Sequence, residues 1–185
     1  MKLTFETIQG TFTSPPGLFD DAMSVRLPVF VDEQKVPAEN ERDAEDETAP
    51  HWVIYDVAAV PRKPVGTIRV VVPAQPTPKS PEEKVERKRY IKLGRLAILK
   101  DYRRIGLGSR LVEEAVEWMK VRENRDSVVP VVDGEGWDGR ILVHAQVAAQ
   151  KAWERYGFVV DESMGVWDEE GIDHVGMWRT VQLEE

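Results

Sequence analysis

The chain contains no cysteine, and that absence removes disulfides, thiolate zinc sites and every cysteine nucleophile. No apolar run approaches the ~20 residues that a helix needs to cross a bilayer, so no membrane partner is expected. Residues 1–6 carry one basic side chain and no apolar stretch of signal length, from which a cytoplasmic location is expected. Histidine is scarce: none of His51, His144 and His174 has a partner at the i, i+4 spacing of a helical zinc motif, and no metal is expected. There is no Gly-Lys pair for a Walker loop and no Gly-x-Ser-x-Gly elbow for a hydrolase. Positive charge is in deficit, 25 Lys and Arg against 33 Asp and Glu, and a net charge of −8 repels a polyanion, so nucleic acid is not expected as a partner.

What remains is an ordinary globular composition whose 185 residues suit one domain, 1–185. Residues 3–8 alternate as an edge strand. Leu18, Ala22, Val25, Val29 and Phe30 recur at helical spacing over 18–34, where Pro28 is expected to kink or break the helix. Residues 36–50 read as a loop, with Glu39, Glu41, Asp43, Glu45, Asp46 and Glu47 against Arg42 alone: a solvated segment or a binding rim. Strands at 51–59 and 64–72 form a hairpin. Pro73, Pro76, Pro78 and Pro81 then block regular structure, and the mixed-charge stretch 82–89 reads as an exposed helical turn or two. A strand at 92–99 leads through glycines into a helix with Leu107, Leu111, Ala115, Trp118, Met119 and Arg122 on one face. After an irregular stretch, a strand at 141–146 precedes a helix at 147–156 that Gly157 ends, and 159–160, 166–167 and 175–181 supply the last strands.

The segment Arg103-Arg104-Ile105-Gly106-Leu107-Gly108 carries chemistry. A strand that feeds a glycine loop opening a helix presents unpaired first-turn amides and the positive end of the helix dipole, a natural seat for phosphate. Arg103, Arg104 and Arg110 add positive charge to an otherwise acidic protein. The dinucleotide fingerprint fails, because Leu111 stands where it requires a small residue. The alternative is a plain helix start with solvent-facing arginines. His144 and Gln146 share one face of their strand, where His144 either relays a proton or is a half-buried histidine bonded to backbone.

These residues resemble the GNAT N-acetyltransferases, whose hallmark Arg/Gln-x-x-Gly-x-Gly/Ala is matched in full by 103–108. Further blocks resemble the ElaA-like branch: 26–34 with the acidic loop after it, His144-Ala145-Gln146, Tyr156-Gly157-Phe158, and 169–177. The resemblance implies an α/β fold with a mixed, mostly antiparallel sheet of six to seven strands, splayed in the middle, with helices on both faces. It implies acetyl-CoA as co-substrate and transfer of its acetyl group to a primary amine of a small molecule or peptide, by direct attack in a ternary complex. The pyrophosphate would meet Arg103, Arg104, Ile105, Gly106, Leu107, Gly108, Ser109 and Arg110, and the pantetheine arm would pair with Leu96, Ala97 and Ile98. Glu33, Gln34, Gln146 and His174 are the acceptor-side candidates, and Asp43 and Asp46 either recognise a cationic amine or form a solvated face. Trp153, assigned to the cofactor site, stands where many members carry the tyrosine that protonates the leaving thiolate. His144 and Tyr156 are then the catalytic candidates, with Tyr156 expected to pack unless the helix end unwinds at Gly157. A monomer or homodimer is expected. The rival reading is a CoA-binding or protein-interaction module that has kept the fold and lost catalysis.

Overall fold

Eight strands form one sheet in a computed structural model of the protein, which describes residues 4–76 and 88–183. β1 (Phe5–Gly10), β2 (His51–Asp56), β3 (Lys63–Val71) and β4 (Ile91–Ile98) run as an antiparallel meander with β1 at the edge. β5 (Arg140–Gln146) is parallel to β4 and antiparallel to β8 (Ile172–Thr180). The far edge of β8 is shared by β6 (Val159–Val160) and β7 (Val166–Glu169). The expected splayed, mostly antiparallel sheet is present; its eight strands match the eight runs read from the sequence and exceed by one the six to seven that the resemblance implies, and β7 and β8 close as a hairpin. Gln75 brackets the proline-rich excursion by exchanging two hydrogen bonds with the Lys88 backbone; Pro78, Pro81 and the mixed-charge stretch as far as residue 87 lie outside the described residues.

Two helical layers cover opposite faces. α3 (Leu107–Lys120) buries Leu107, Leu111, Val112, Ala115, Val116 and Met119 against Ile54, Ile68, Val70 and Leu93 and, across the sheet, Ile141 and Val143. This is the face read from the 3.6-residue period, save that Trp118 sits at its margin and Arg122 lies exposed beyond the end of the helix at Lys120. α1 (Leu18–Arg26) places Leu18 and Ala22 on Val53 and Tyr55, and Val25 packs with Val29 and Ala97.

Pro28 interrupts the α-helical pattern, as the kink-or-break reading expects, without ending the helical path. α1 stops at Arg26 and the backbone continues as a π-helix, Leu27–Glu33; Pro28 has no N–H to give the carbonyl four residues before it, and the wider coil takes over there. The Gln34 amide donates to the Val29 carbonyl at 3.3 Å, the i→i−5 pattern of the wider coil.

The acidic segment corrects the loop reading in part: Glu39, Glu45 and Glu47 are solvated and Asp43 and Glu45 border the cleft, but the segment is folded and Glu41 and Asp46 are buried. It folds as α2 (Ala38–Glu41) and a 3₁₀ turn at Ala44–Glu47, with the side chains of Glu41 and Asp46 2% and 0% exposed. The reason is two buried arginines. Arg26 donates through Nε to Glu41 at 2.5 Å and through Nη1 and Nη2 to the two Asp46 oxygens at 2.8 and 3.1 Å. Arg69, on β3, donates to Asp46 at 2.5 Å and in a fork to Asp43 at 2.7 and 2.6 Å. Asp43 and Asp46 also cap each other's backbone, and His51 Nε2 lies 2.9 Å from the Asp46 carbonyl.

Burial alone would raise the Asp46 pKa, but the hydrogen bonds and charges of Arg26, with the charge of Arg69, hold it down at about 2 against an ordinary 3.8. A carboxylate with a depressed folded-state pKa contributes its full stability above its unfolded value and loses it as pH falls toward the folded one. Asp46→Ala takes the shared carboxylate from two buried guanidinium groups, leaving Arg26 with Glu41 and Arg69 with Asp43 and Glu45, so chemical denaturation should show a loss of about 3 kcal/mol. In Asp46→Asn the fall in melting temperature between about pH 4 and pH 2 should be shallower than in the wild type. Equal slopes in both proteins would remove Asp46 from the acid transition.

Candidate active site

β4 and β5 pair at two positions, Ile91 with Ile141 and Lys92 with Leu142, and then part. A bulge drives β4 away: Thr67 faces Ala97 and Arg69 faces Gly94, so Arg95 and Leu96 together oppose Ile68, with Arg95 at φ +53°. The gap opens into a cleft of about 400 Å³. Strand register places Arg69, Lys92, His144, Gln146 and His174 on the same side of the sheet, the side away from α3. Two hydrogen bonds reach across from the acceptor-side helices: Gln146 Nε2 donates to Gln34 Oε1 at 2.7 Å, and Asn40 Nδ2 donates to Glu170 Oε1 at 2.9 Å.

At the end of β4 the chain makes a 3₁₀ turn, Lys100–Tyr102, passes through Arg104 at φ +65° and enters α3 at Gly106, φ +89°. No side chain caps α3, so its first amides are left for an outside acceptor. A Cβ on Gly106 would meet nothing within 4 Å, so glycine is required there by conformation. A Cβ on Gly108 would stand 2.8 Å from the Tyr156 hydroxyl, which therefore sits over the first turn of the helix.

The arginines of this loop are not the uniform positive patch that the sequence suggests. Arg103 forks onto Glu33 at 2.9 and 2.8 Å and donates through Nε to the Ile98 carbonyl at 2.8 Å. Arg110 turns to Glu114 and the Phe5 carbonyl, away from the cleft. Arg104 and Ile105 are exposed, Leu107 belongs to the core, Ala97 is buried, and Leu96 lines the cleft. Glu33, an acceptor-side candidate, is thus engaged by the phosphate loop and is absent from the cleft lining.

The other acceptor-side candidates come together in the cleft. His144 Nδ1 lies 3.5 Å from Glu169, and its ring meets Trp167 edge to face. The His144 imidazole beside it and the Trp167 indole hold the Glu169 carboxyl at about 2. A carboxylate at Nδ1 favours the tautomer with the proton there, which leaves Nε2 as the basic nitrogen. His174 is buried, stacked on Trp167, with Nδ1 2.8 Å from the Ile172 carbonyl, an ordering contact for the last hairpin. Trp153 is buried and packs edge to face on both Tyr156 and Phe158.

Sequence reasoning missed Lys92, Arg95 and Glu169. The signal for Lys92 was a cation inside the apolar run Ile91-Lys92-Leu93; Glu169 is known only through the β7–β8 pairing that folds it back over His144. Among the described residues, no group of three or more His, Asp or Glu is placed to hold a metal ion, and no helix is long and apolar enough to cross a membrane.

The acetyltransferase (GNAT) family model matches residues 18–132. A Bacillus subtilis protein named as an uncharacterized N-acetyltransferase, YjcF, is 33% identical over 159 residues, covering 86% of this chain and 90% of its own length. Among solved structures, an acyl-CoA N-acyltransferase from Pseudomonas aeruginosa superposes with a TM-score of 0.68 at 22% identity, covering 96% of this chain and all of that one. Escherichia coli ElaA does so with a TM-score of 0.65 at 19% identity, covering 96% and 99%. At these identities the two structures attest the fold.

Burial pushes the Tyr156 hydroxyl above its ordinary pKa of 10.0, so it is protonated at neutral pH and is a donor there. Ultraviolet titration of the wild type minus Tyr156→Phe should show one phenol ionising above pH 10.0. A difference signal at or below that value would contradict the packed environment.

Proposed function

Because the chain belongs to the GNAT acetyltransferase family, we propose that it moves the acetyl group of acetyl-CoA to a primary amine, by direct attack in a ternary complex, within one domain, 1–185. The observation that carries this reading is the free edge of β4 beyond Lys92, running straight to the uncapped N-terminus of α3. An extended arm fits such an edge as an added strand, and a pyrophosphate fits the amides of Gly106, Leu107, Gly108 and Ser109. Acetyl-CoA supplies the activated acetyl group. Arg104 offers its charge unopposed, whereas Arg103 must exchange Glu33 for phosphate.

Each residue then has a task. The amine nitrogen forms its bond to the acetyl carbon while the carbon–sulfur bond breaks. His144 Nε2 takes the proton that the amine loses, with Glu169 stabilising the imidazolium. The hydroxyl of Tyr156, at the cleft lining and over Gly108, gives a proton to the departing sulfur. Trp153 fills the place of the family's tyrosine by packing, and Tyr156 stands beside it with its hydroxyl on the cleft.

The absence of cysteine makes the assay clean, since a thiol reagent reads only released CoA. Thiol release across a panel of primary amines should be positive for at least one. Gly106→Val forces a β-branched residue to positive φ and should weaken acetyl-CoA binding at least ~100-fold by calorimetry. His144→Ala and Tyr156→Phe should each cut turnover by ~10²–10⁴ while leaving acetyl-CoA affinity nearly unchanged. Tight acetyl-CoA binding with no turnover of any amine would make the protein a CoA-binding module instead.

A further inference from the structure

The cations of the cleft are unequally served. Arg69 is matched by Asp43, Glu45 and Asp46 at 2.6, 3.3 and 2.5 Å, and Arg95 by Glu41 and Asp43 at 3.3 and 3.1 Å. Among the described residues lining the cleft, Lys92 is the one lysine or arginine with no carboxylate within 4 Å and no hydrogen-bond acceptor. Nor is its amine in open water: Lys92 is only partly exposed, and burial pulls its pKa below the ordinary 10.5 against the opposing pull of Glu45 and Glu169. A second donor on this floor is also unmet, for Arg69 Nε is buried without a partner, 4.0 Å from where a Gly94 Cβ would stand. A half-buried ammonium without a counterion is an incomplete arrangement, and an incoming anion completes it with a charge-assisted bond.

Register gives the site its polarity. Lys92 lies level with Leu142, at the base of the cleft where the strands still pair, and His144 lies two residues nearer the mouth, about 7 Å along β5. Glu169 and Glu170, from the β7–β8 turn, stand on the His144 side. Glu41, Asp43 and Glu45 also line the cleft but are held by Arg69 and Arg95, so the cleft offers negative charge unengaged by arginine beside His144 and one cation without a direct ion pair, Lys92, deeper in. Its volume of about 400 Å³ and the two hydrogen bonds across it suit a small molecule lying between these poles.

We propose that the acceptor is a small amino-carboxylate, whose carboxylate is received by Lys92 while its amine faces His144. The inference rests on the acetyl-transfer reading for the fate of the amine, and on the cleft floor alone for the carboxylate.

The test uses matched probes: glycine, β-alanine, 4-aminobutyrate and 6-aminohexanoate, each beside its primary amide. Two readouts are taken, thiol release with acetyl-CoA, and calorimetric binding to protein saturated with CoA. In the wild type at least one carboxylate should exceed its amide by about tenfold or more in kcat/KM or in affinity. Lys92→Met should lower that carboxylate ~10–100-fold, leave the amide within about threefold, and leave acetyl-CoA affinity and melting temperature unchanged. Lys92→Gln serves if the methionine variant does not fold.

The proposal is overturned if no pair shows the preference, if the preference survives in the variant, or if both members of a pair fall together, which would assign Lys92 to the chemistry. Thiol release from amines without a carboxylate preference sinks the Lys92 site and spares acetyl transfer. A Lys92-dependent carboxylate preference in binding, with no thiol release from any amine, sinks acetyl transfer and keeps the site.

Discussion

The parting of β4 from β5 is the constraint on which the rest of the molecule depends. Two central strands that pair only at Ile91–Ile141 and Lys92–Leu142 leave their remaining backbone donors and acceptors facing a gap in the middle of a sheet. Backbone groups in such a place require water or an extended ligand to satisfy them. The sheet holds together across the gap because α3 lies beneath both halves, with Leu93 from one side and Ile141 and Val143 from the other in a single apolar core. One face is thereby committed to packing. The opposite face is free to be polar, and Arg69, Lys92, His144 and His174 collect there.

The polar face is roofed by a segment whose placement is electrostatic. Arg26 and Arg69 are as buried as core leucines, and the carboxylates of Glu41, Asp43 and Asp46 come to them. Such a cluster adds little net stability over an apolar core, but its forked geometry admits few alternatives, so it specifies where the roof sits. Asn40, within this segment, and Gln34, just before it, are held where they can reach Glu170 and Gln146 across the cleft.

The parts of this arrangement that were legible in the sequence are local. The helical period from Leu107 to Met119, the strand runs, and the glycines ahead of a helix each express a physical rule that acts within a few residues. What was not legible is settled by distant pairings. Six carboxylates against one arginine read as a solvated segment or a binding rim because the buried partners that four of them find, Arg26 and Arg69, stand 20 and 23 residues from Asp46. The loop arginines read as free charge because Glu33 is 70 residues from Arg103. Pro28 read as a kink or break of the helix, and the switch to π-helical bonding that the structure shows there leaves no local signature.

Consecutive residues at the end of that π-helix grip both sides of the divided sheet: Glu33 holds Arg103 beyond β4, and Gln34 holds Gln146 at the end of β5. The two ends of the roof are fastened unequally. At Arg26 and Asp46 the contacts are buried, and breaking one there costs ~3–5 kcal/mol. The Arg103–Glu33 pair is more than a third exposed on each partner, and exposed pairs contribute only about 0–1 kcal/mol. The roof is therefore fixed where it meets β3 and the interior of the fold, and lightly held where it meets the uncapped helix. Under the proposed function, an anion arriving at α3 would compete with Glu33 for Arg103 at small cost, while the buried carboxylates of the roof stay in place.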